Sequence, residues 1–245
     1  MLLAGGEGTR ARAIDPDTPK ALLSVGGMPA VTLQARWLAI RASRPPVEIM
    51  ILTGQHGDRV AAALPRWIDG TPVSIVPSGS DGTVAAVSCG LGFATTDRVL
   101  CLNSDTIIGC ELGGLLAYWP MAPRAMTLLC SEYPEAPNRG EVVIEHDRLV
   151  RMQPSPGAPP DHPTPLMANV GVYLFSRDRV VRSVADAPVG ASIERYLVNR
   201  LAAKNLVGVQ SLGDVPVIDF GTERGWQALQ GADPNRFEIL QEVNA

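Results

Sequence analysis

The sequence predicts an α/β fold, a Rossmann-like three-layer αβα sandwich with a mainly parallel sheet and an added antiparallel hairpin portion. In the first half of the chain, apolar runs rich in β-forming residues alternate with helical stretches. Strands separated by helices form right-handed βαβ units, in which the sheet is parallel and covered on both faces. In the second half, strand-like runs at 141–145 and 148–152 are only two residues apart, a spacing typical of a hairpin.

The elements of the first half follow from the spacing of apolar residues. Leu33, Trp37 and Ile40 recur at intervals of four and three, so 29–43 is predicted to be an amphipathic helix with Pro29 in its first turn. The other predicted elements of this half are helices at 59–67 and 83–93 and strands at 2–4, 47–53, 73–76 and 98–103.

The second half contains a proline-rich stretch between further strands. Six prolines between 154 and 165 predict a long loop, because proline rings exclude a helix or a central strand. Such a loop is either a lid or a simple surface excursion. The other predicted elements of this half are strands at 126–130, 141–145, 148–152, 169–175 and 215–219 and helices at 192–203 and near Trp226.

Length, charge and composition exclude several classes of protein. A chain of 245 residues can bury one sizeable core, so we expect a single domain over 1–245. The net charge of −4 argues against a nucleic-acid-binding surface. The sequence shows no signal peptide and no apolar run long enough to span a membrane, so the chain is expected to be cytoplasmic and not to bind membranes. Met1 directly precedes the first apolar pair, so an upstream start remains an open alternative.

Cysteine and histidine residues form no ligand pattern. The four cysteines lie at irregular spacing and include no C-x-x-C pair, so reduced thiols are expected rather than a zinc site or a disulfide framework. The three histidines are scattered along the chain.

A glycine-rich loop directly follows the first strand. Gly5, Gly6 and Gly8 allow the backbone to approach a bulky anion closely, and Thr9 adds a hydroxyl group. Arg10 can hold two phosphate oxygens, and after a short gap Lys20 supplies a point charge. These residues together predict a phosphate-binding loop.

Three interpretations of this loop compete. The run from Gly6 to Ala11 satisfies G-x-G-x-x-A, but Pro16 and Pro19 interrupt the helix that a dinucleotide site needs, and the expected carboxylate is missing. A Walker A loop fails because no Gly-Lys-Ser/Thr follows the glycines. The whole run Leu3-Ala4-Gly5-Gly6-Glu7-Gly8-Thr9-Arg10 with Pro19-Lys20 resembles the signature of the sugar-1-phosphate nucleotidylyltransferases.

Two aspartates follow predicted strands and extend the resemblance. In an open α/β sheet, ligands lie beyond the carboxyl ends of the strands, where Asp105 and Asp219 stand. Either alone is usually a helix cap or turn former, but two hard oxygen ligands facing a triphosphate suit Mg²⁺. Asn103-Ser104-Asp105 resembles the metal segment of the family, and Asp219-Phe220-Gly221-Thr222 resembles its later D-x-G-T segment.

Further segments carry the resemblance to almost the end of the chain. Gly82-Thr83 stands where the family has its nucleobase loop, and Asn169-Val170-Gly171-Val172-Tyr173 resembles the N-x-G-x-Y strand that approaches the sugar. Ser192-Ile193-Glu194 is similar to a segment whose Glu contacts sugar hydroxyls. One departure is serious, because Met152-Gln153-Pro154 occupies the place of Glu-Lys-Pro. Arg139 and Arg151 are the candidates to replace the missing lysine.

The resemblance implies four sets of functional residues. The catalytic set is Arg10, Lys20 and Asp105. The nucleotide-binding set is Leu3, Ala4, Gly5, Gly6, Gly8, Thr9, Arg10, Lys20, Gly82, Thr83 and Asn103. The sugar-phosphate set is Gly140, Gln153, Asn169 and Glu194, and the Mg²⁺ ligands are Asp105 and Asp219. The nucleotide-binding part would cover about 1–123 and the sugar-binding part about 124–232.

The implied reaction joins an NTP and a sugar 1-phosphate to give an NDP-sugar and pyrophosphate, with Mg²⁺ as cofactor. The residues of the glycine loop favour GTP with mannose or manno-heptose 1-phosphate as substrates. The alternatives are UTP, CTP or dTTP with a hexose 1-phosphate. A catalytically silent nucleotide-sugar-binding subunit would explain the missing lysine, and a nicotinamide-dependent dehydrogenase would explain only the glycine spacing. A homodimer is compatible with the resemblance.

Overall fold

Strands and helices alternate along the chain in the computed structural model, which describes residues 1–6, 13–42, 44–79, 81–117, 124–132, 140–145, 148–154, 167–241 and 243. The elements up to residue 117 are β1 (Leu2–Ala4), β2 (Ser24–Val25), β3 (Met28–Pro29), α1 (Ala30–Arg41), β4 (Ile49–Thr53), α2 (Gly57–Ala62), β5 (Trp67–Ile68), β6 (Thr71–Pro77), α3 (Thr83–Phe93), β7 (Arg98–Asn103), β8 (Thr106–Ile108) and α4 (Leu112–Ala117).

The later elements include the predicted hairpin. They are β9 (Met126–Ser131), β10 (Gly140–Glu145), β11 (Arg148–Pro154), β12 (Met167–Ser176), α5 (Arg177–Val184), α6 (Val198–Ala202), β13 (Val207–Ser211), β14 (Val217–Asp219), α7 (Glu223–Gln230) and α8 (Glu238–Gln241). A π-helical turn at Ile193–Leu197 leads into α6. None of the described helices is long and apolar enough to cross a membrane.

The chain forms two compact units that are interleaved along the sequence. The first unit takes residues 1–80, 102–118 and 218–245, and the second unit takes 81–101 and 119–217. Strand β7 contributes its first four residues to the second unit and its last two to the first.

The first unit contains the predicted parallel sheet. β1 pairs in parallel with β4, with Leu2 opposite Ile51, and with the end of β7, with Leu2 opposite Leu102. β4 pairs in parallel with β6, and the short β5 runs antiparallel to β6. Leu2, Ile51 and Leu102 are buried. All five residues of β4, which lies between β1 and β6, are buried because both faces of a parallel sheet are covered.

The second unit is mostly antiparallel. β12 pairs antiparallel with β9 and β10, β10 pairs antiparallel with β11, and β13 pairs in parallel with β9. The predicted hairpin is confirmed, with Val142 opposite Met152, whereas the turn at 146–147 lies outside the described residues. Pro154, the first residue of the predicted loop, ends β11 opposite Gly140, and the rest of that loop lies outside the described residues. An outer strand such as β11 tolerates proline at its end.

The predicted helices agree with the structure to different degrees. α3 has the predicted bounds, and in α1 Leu33 and Trp37 are buried as expected, but Ile40 is 41% exposed. α2 ends at Ala62, short of the predicted 59–67 helix, and Trp67 belongs to β5. Pro65 explains the early end, because proline removes an N–H group and disfavours helix in the residue before it.

Glu238 in α8 ties three parts of the first unit together. Its Oε2 accepts a hydrogen bond of 2.8 Å from Trp37 Nε1 on α1 and one of 3.0 Å from the backbone N of Leu112, where α4 begins. Trp37 is 3% exposed, so its indole N–H has no easy access to water. Glu238 therefore satisfies two donors that would otherwise be costly to bury.

Replacing Glu238 with alanine is expected to lower the free energy of unfolding by about 2–3 kcal/mol, because hydrogen bonds to a charged group are lost and the Trp37 donor is left unsatisfied. Urea denaturation measures this change. Glu238→Gln keeps an acceptor and should lose less, and Glu223→Ala, at an exposed position in α7, is the matched control. Equal losses for Glu238→Ala and Glu223→Ala would contradict this role for Glu238.

Burial also affects the thiols of Cys101 and Cys130. Cys101 on β7 is fully buried, and this burial raises its pKa to about 12. Burial likewise raises the pKa of Cys130 on β9. Above about pH 8.5, these thiols stay protonated in the folded state, whereas the thiols of the unfolded chain lose their protons.

The stability of the protein is therefore expected to be unaffected by these thiols below about pH 8.5 and to fall as the pH rises towards 12, by about 1.4 kcal/mol per pH unit for each buried thiol. The sign follows because the unfolded state binds fewer protons than the folded state in that range. Urea denaturation at pH 7.5, 9 and 10 tests this, and Cys101→Ala should flatten the fall. An equally steep fall in the variant would exclude Cys101 as a source.

Candidate active site

The chain leaves β1 through a gap that only glycine fits. A Cβ on Gly5 would stand 3.0 Å from the backbone N of Gly54, and a Cβ on Gly54 would meet the carbonyl oxygen of Gly5. Among the described atoms, none lies within 4 Å of where a Cβ on Gly6 would stand. The predicted residues Gly8, Thr9 and Arg10 lie outside the described residues.

The turn that carries Asp105 is clamped by a buried amide. Gln34, on α1, is 2% exposed, and its Nε2 donates to the carbonyl oxygens of Asn103 at 3.2 Å and Thr106 at 3.0 Å. These two acceptors flank the turn on both sides of Asp105. The sequence analysis missed Gln34, although a single amide among the apolar positions of α1 was a visible signal.

Asp105 is buried and paired with the predicted lysine. Asp105 is 6% exposed, and Lys20 Nζ forms a salt bridge with Asp105 Oδ2. The backbone N of Phe220 donates to the Asp105 carbonyl oxygen at 3.0 Å, which joins the Asp105 turn to the segment that follows β14. Two members of the predicted catalytic set, Lys20 and Asp105, are thus in direct contact.

Gly221 lies beside both predicted metal ligands. Its backbone N donates to Asp219 Oδ1 at 3.1 Å, and a Cβ on Gly221 would stand 2.6 Å from Asp105 Oδ2 and would overlap the end of the Lys20 side chain. Thr222 caps α7 by accepting from the backbone N of Gly225 at 3.1 Å. The glycine of Asp-Phe-Gly-Thr therefore leaves the room that the end of the Lys20 side chain occupies beside Asp105.

The donor set at Gly221 fits Mg²⁺. Within the described part of the chain there is no group of three or more His, Cys, Asp or Glu side chains that could hold a metal ion. Mg²⁺ does not need such a cage, because it is usually bound through one or two carboxylates together with waters and substrate phosphates. Asp105 and Asp219 supply two hard oxygen donors around Gly221, whose missing side chain leaves room for the end of Lys20.

In the second unit, Gly82 and Thr83 begin α3 and pack against the chain that precedes the π-helical turn. Gly82 has φ +96°, and a Cβ there would stand 2.5 Å from the carbonyl oxygen of Ala191. Thr83 Oγ1 accepts from the backbone N of Ile193 at 2.9 Å. Both residues therefore support the segment that carries Glu194.

Asn169, Tyr173 and Glu194 form one hydrogen-bonded chain in the second unit. Asn169 Nδ2 donates to Tyr173 Oη at 2.9 Å, and Tyr173 Oη donates to Glu194 Oε1 at 2.8 Å. Asn169 is 7% exposed and Tyr173 is fully buried. Burial, and after it the charge of Glu194, raises the pKa of Tyr173 well above its usual value. Tyr173 belongs to the predicted N-x-G-x-Y strand, but its hydrogen bond to Glu194 was not predicted from the sequence.

The segment with the missing lysine is held by an asparagine. Asn199, on α6, accepts from the backbone N of Met152 at 2.8 Å and donates to the Met152 carbonyl oxygen at 3.0 Å. Gly140 and Gln153 lie on the paired strands β10 and β11, and the Gln153 side chain lies outside the described residues. Arg151 on β11 is exposed, whereas Arg139 lies outside the described residues.

Comparison with known proteins decides which family carries these features. The chain matches the nucleotidyl transferase family over residues 1–202. The chain belongs to this family. The resemblance to sugar-1-phosphate nucleotidylyltransferases, predicted from the glycine loop and the two aspartate segments, is thereby confirmed.

The individual relatives of the chain are distant in sequence. A mannose-1-phosphate guanylyltransferase of Mycobacterium tuberculosis is 27% identical over 212 residues, which cover 83% of this chain and 55% of the relative. The chain spans about half the length of the curated relatives it matches first.

Solved structures share the fold. A candidate glucose-1-phosphate thymidylyltransferase from Bacillus anthracis, solved with sucrose, has a TM-score of 0.77 at 21% identity, covering 96% of this chain and 94% of its own. An inositol-1-phosphate CTP transferase from T. maritima has a TM-score of 0.74 at 13% identity, covering 99% of this chain and 94% of its own. The α/β nucleotidyl transferase fold predicted from the sequence is confirmed.

Proposed function

We propose that the protein is a sugar-1-phosphate nucleotidylyltransferase that joins an NTP and a sugar 1-phosphate to give an NDP-sugar and pyrophosphate. The observation that carries this proposal is the arrangement at Gly221, where Asp105 and Asp219 flank a residue without a side chain and Lys20 contacts Asp105. Membership of the nucleotidyl transferase family supports the same reaction.

In the proposed mechanism, an oxygen of the sugar 1-phosphate attacks the α-phosphorus of the NTP, the new P–O bond forms, and pyrophosphate leaves. The nucleophile is already an anion, so the protein needs no general base. Its task is to align the reacting groups and to neutralise their charge. Mg²⁺, when bound, would neutralise charge on the triphosphate and help to orient it.

We assign the groups of the chain to this task as follows. Asp105 and Asp219 would hold the metal ion, and Lys20 would contact the triphosphate from its position at Asp105. Arg10, which lies outside the described residues, is assigned to the triphosphate and the transition state from the sequence alone. The other proposed nucleotide contacts are Leu3, Ala4, Gly5, Gly6, Gly8, Thr9, Gly82, Thr83 and Asn103, and the proposed sugar-phosphate contacts are Gly140, Gln153, Asn169 and Glu194.

We further propose that these residues work within one domain, with nucleotide binding in about 1–123 and sugar binding in about 124–232. For the substrates, we favour GTP with mannose or manno-heptose 1-phosphate, which the name of the Mycobacterium tuberculosis relative supports. A glucose-1-phosphate thymidylyltransferase from Streptomyces griseus also matches at 28% identity, so dTTP with a hexose 1-phosphate is the main alternative. A cytoplasmic location and a homodimer belong to the same proposal.

A silent binding subunit is the second candidate function. The observation that favours it is Gln153, which stands where family members have a lysine beside the sugar phosphate. Against it, Lys20, Asp105 and Asp219 are all retained, and two of them are in contact.

Pyrophosphate release tests both functions. The purified protein is assayed with Mg²⁺ over a grid of four NTPs and several sugar 1-phosphates, including those of mannose, glucose and manno-heptose. Release that needs one NTP and one sugar supports the enzyme and identifies its substrates. No release on any pair, together with nucleotide binding by calorimetry, would support the silent subunit.

A further inference from the structure

We propose that Asn169 and Tyr173 are positioning residues that aim the Glu194 carboxylate, and that Glu194 is the member of this chain of three that touches the sugar. This inference rests on the proposed function, because it concerns the sugar side of that reaction. It replaces the direct sugar contact proposed for Asn169 by a positioning role, exerted through Tyr173 and Glu194.

The direction of the hydrogen bonds follows from one backbone group. Gly171 N–H donates to Asn169 Oδ1 at 3.0 Å, so the amide oxygen is the acceptor there and Nδ2 faces Tyr173. Tyr173 Oη accepts from Nδ2, and its single proton is directed to Glu194 Oε1. Each member thus donates to the next, and the chain ends on a carboxylate.

A bulge in β12 makes this contact between Asn169 and Tyr173 possible. In a regular strand, residues four apart are separated by about 13 Å, too far for a side-chain hydrogen bond. The pairing of β12 with β9 shifts register between these two residues, and Gly171 between them has φ +73°. Glycine adopts this φ without strain, which explains its position in the Asn-Val-Gly-Val-Tyr segment.

The tyrosine in the middle of this chain of hydrogen bonds and the glutamate at its end are both rigidly supported. Tyr173 is fully buried and stacks on Phe175 with ring centroids 6.0 Å apart. Its raised pKa keeps the phenol protonated as a donor. At the glutamate end, Ser192 Oγ accepts from the backbone N of Arg195, and the π-helical turn that begins at Ile193 carries Glu194. Such turns recur at functional sites.

Glu194 is the member with room for a ligand. Asn169 uses its oxygen on Gly171 and an N–H on Tyr173, and it is 7% exposed. Glu194 is more exposed than Asn169 or Tyr173, and among the described residues none donates to its Oε2. A carboxylate oxygen fixed through its partner oxygen is well suited to accept from a sugar hydroxyl. Glu194 is therefore assigned to the sugar.

The test compares Tyr173→Phe with Tyr196→Phe, which removes the other tyrosine hydroxyl of this region, a group that Arg200 contacts. With the best substrate pair, Tyr173→Phe should lower kcat/KM for the sugar 1-phosphate by about tenfold or more, the effect of a hydrogen bond to a charged group, while KM for the NTP stays within about twofold. Tyr196→Phe should change neither. Deoxy sugar 1-phosphates identify the hydroxyl that Glu194 recognises. With the analogue that lacks this hydroxyl, Tyr173→Phe should not lower kcat/KM any further.

Asn169→Asp tests the direction of the chain. The new carboxylate can accept from Gly171 but cannot donate to Tyr173, so it should compete for the tyrosine proton and reproduce the sugar-specific loss. In the Tyr173→Phe background it should add little. A large further loss of kcat/KM in this double variant would mean that Asn169 contacts the sugar itself and would overturn the proposal. Equal losses of kcat/KM for the NTP and for the sugar 1-phosphate in Tyr173→Phe would also overturn it. Wild-type protein that is inactive on every pair would instead overturn the proposed function and this inference with it.

Discussion

Replacement of Asp105 by asparagine is expected to lower pyrophosphate release by about 10²–10³-fold, the range found when one preorganised charge-stabilising group is removed. Asparagine keeps the shape of the side chain but removes the charge that pairs with Lys20 and that would bind the proposed divalent cation. The backbone bond from Phe220 to the residue 105 carbonyl is retained, so the turn should survive. Turnover and Mg²⁺ dependence are measured on the folded variant.

The control for this change is Asp58→Asn, at an exposed position on α2 in the same unit. It should leave turnover unchanged within about twofold. Circular dichroism and the midpoint of thermal unfolding establish that Asp105→Asn is folded. Full turnover of a folded Asp105→Asn protein, at the same Mg²⁺ concentration, would remove Asp105 from the catalytic set.

Replacement of Gly221 by alanine is the second large expected effect. The methyl group would stand 2.6 Å from Asp105 Oδ2 and would overlap the ammonium end of Lys20, so both side chains must move. The end of Lys20 is flexible and can move at little cost, whereas Asp105 is buried and paired, so some stability is expected to be lost as well. A shift of about 1 Å in a reacting group can lower the rate by about 100-fold, and we expect a loss of that order in turnover.

The matched control is Gly92→Ala on α3, where no described atom lies within 4 Å of the new Cβ. Alanine favours helix over glycine by about 1 kcal/mol, so this control should be slightly more stable and equally active. If Gly221→Ala loses activity only in proportion to unfolded protein, the effect is one of stability and the space at Gly221 has no catalytic role.

The parallel part of the fold could be predicted because its signal is local. Strand β4 is fully buried, β6 and β7 contain β-branched apolar residues, and α3 follows Gly82 with the predicted bounds. The sequence analysis did not predict α5, in which only three of eight residues are buried. This helix is stabilised from a distance, since Asp97 accepts from the backbone N of Asp178 at 3.2 Å. A partner about eighty positions away leaves no local pattern.

The candidate site divides in the same way. The two aspartates were found because each follows a strand and matches a short motif. Gln34 and the bond from Tyr173 to Glu194 were not found, because each role depends on a residue distant in sequence. Glycine positions were partly readable: the motif contained Gly171 and Gly221, but only the structure explains them by a positive φ and by a close approach.

The interleaving of the two units has a consequence for biosynthesis. A ribosome makes residues 1–80 and 102–118 of the first unit long before residues 218–245 of the same unit. The Asp219 carboxylate can therefore join Asp105 only after residue 219 has left the ribosome, because β14 cannot pair with β8 before then. A nascent chain that stops before residue 218 lacks one of the two proposed metal ligands, so the proposed active site is completed late in translation.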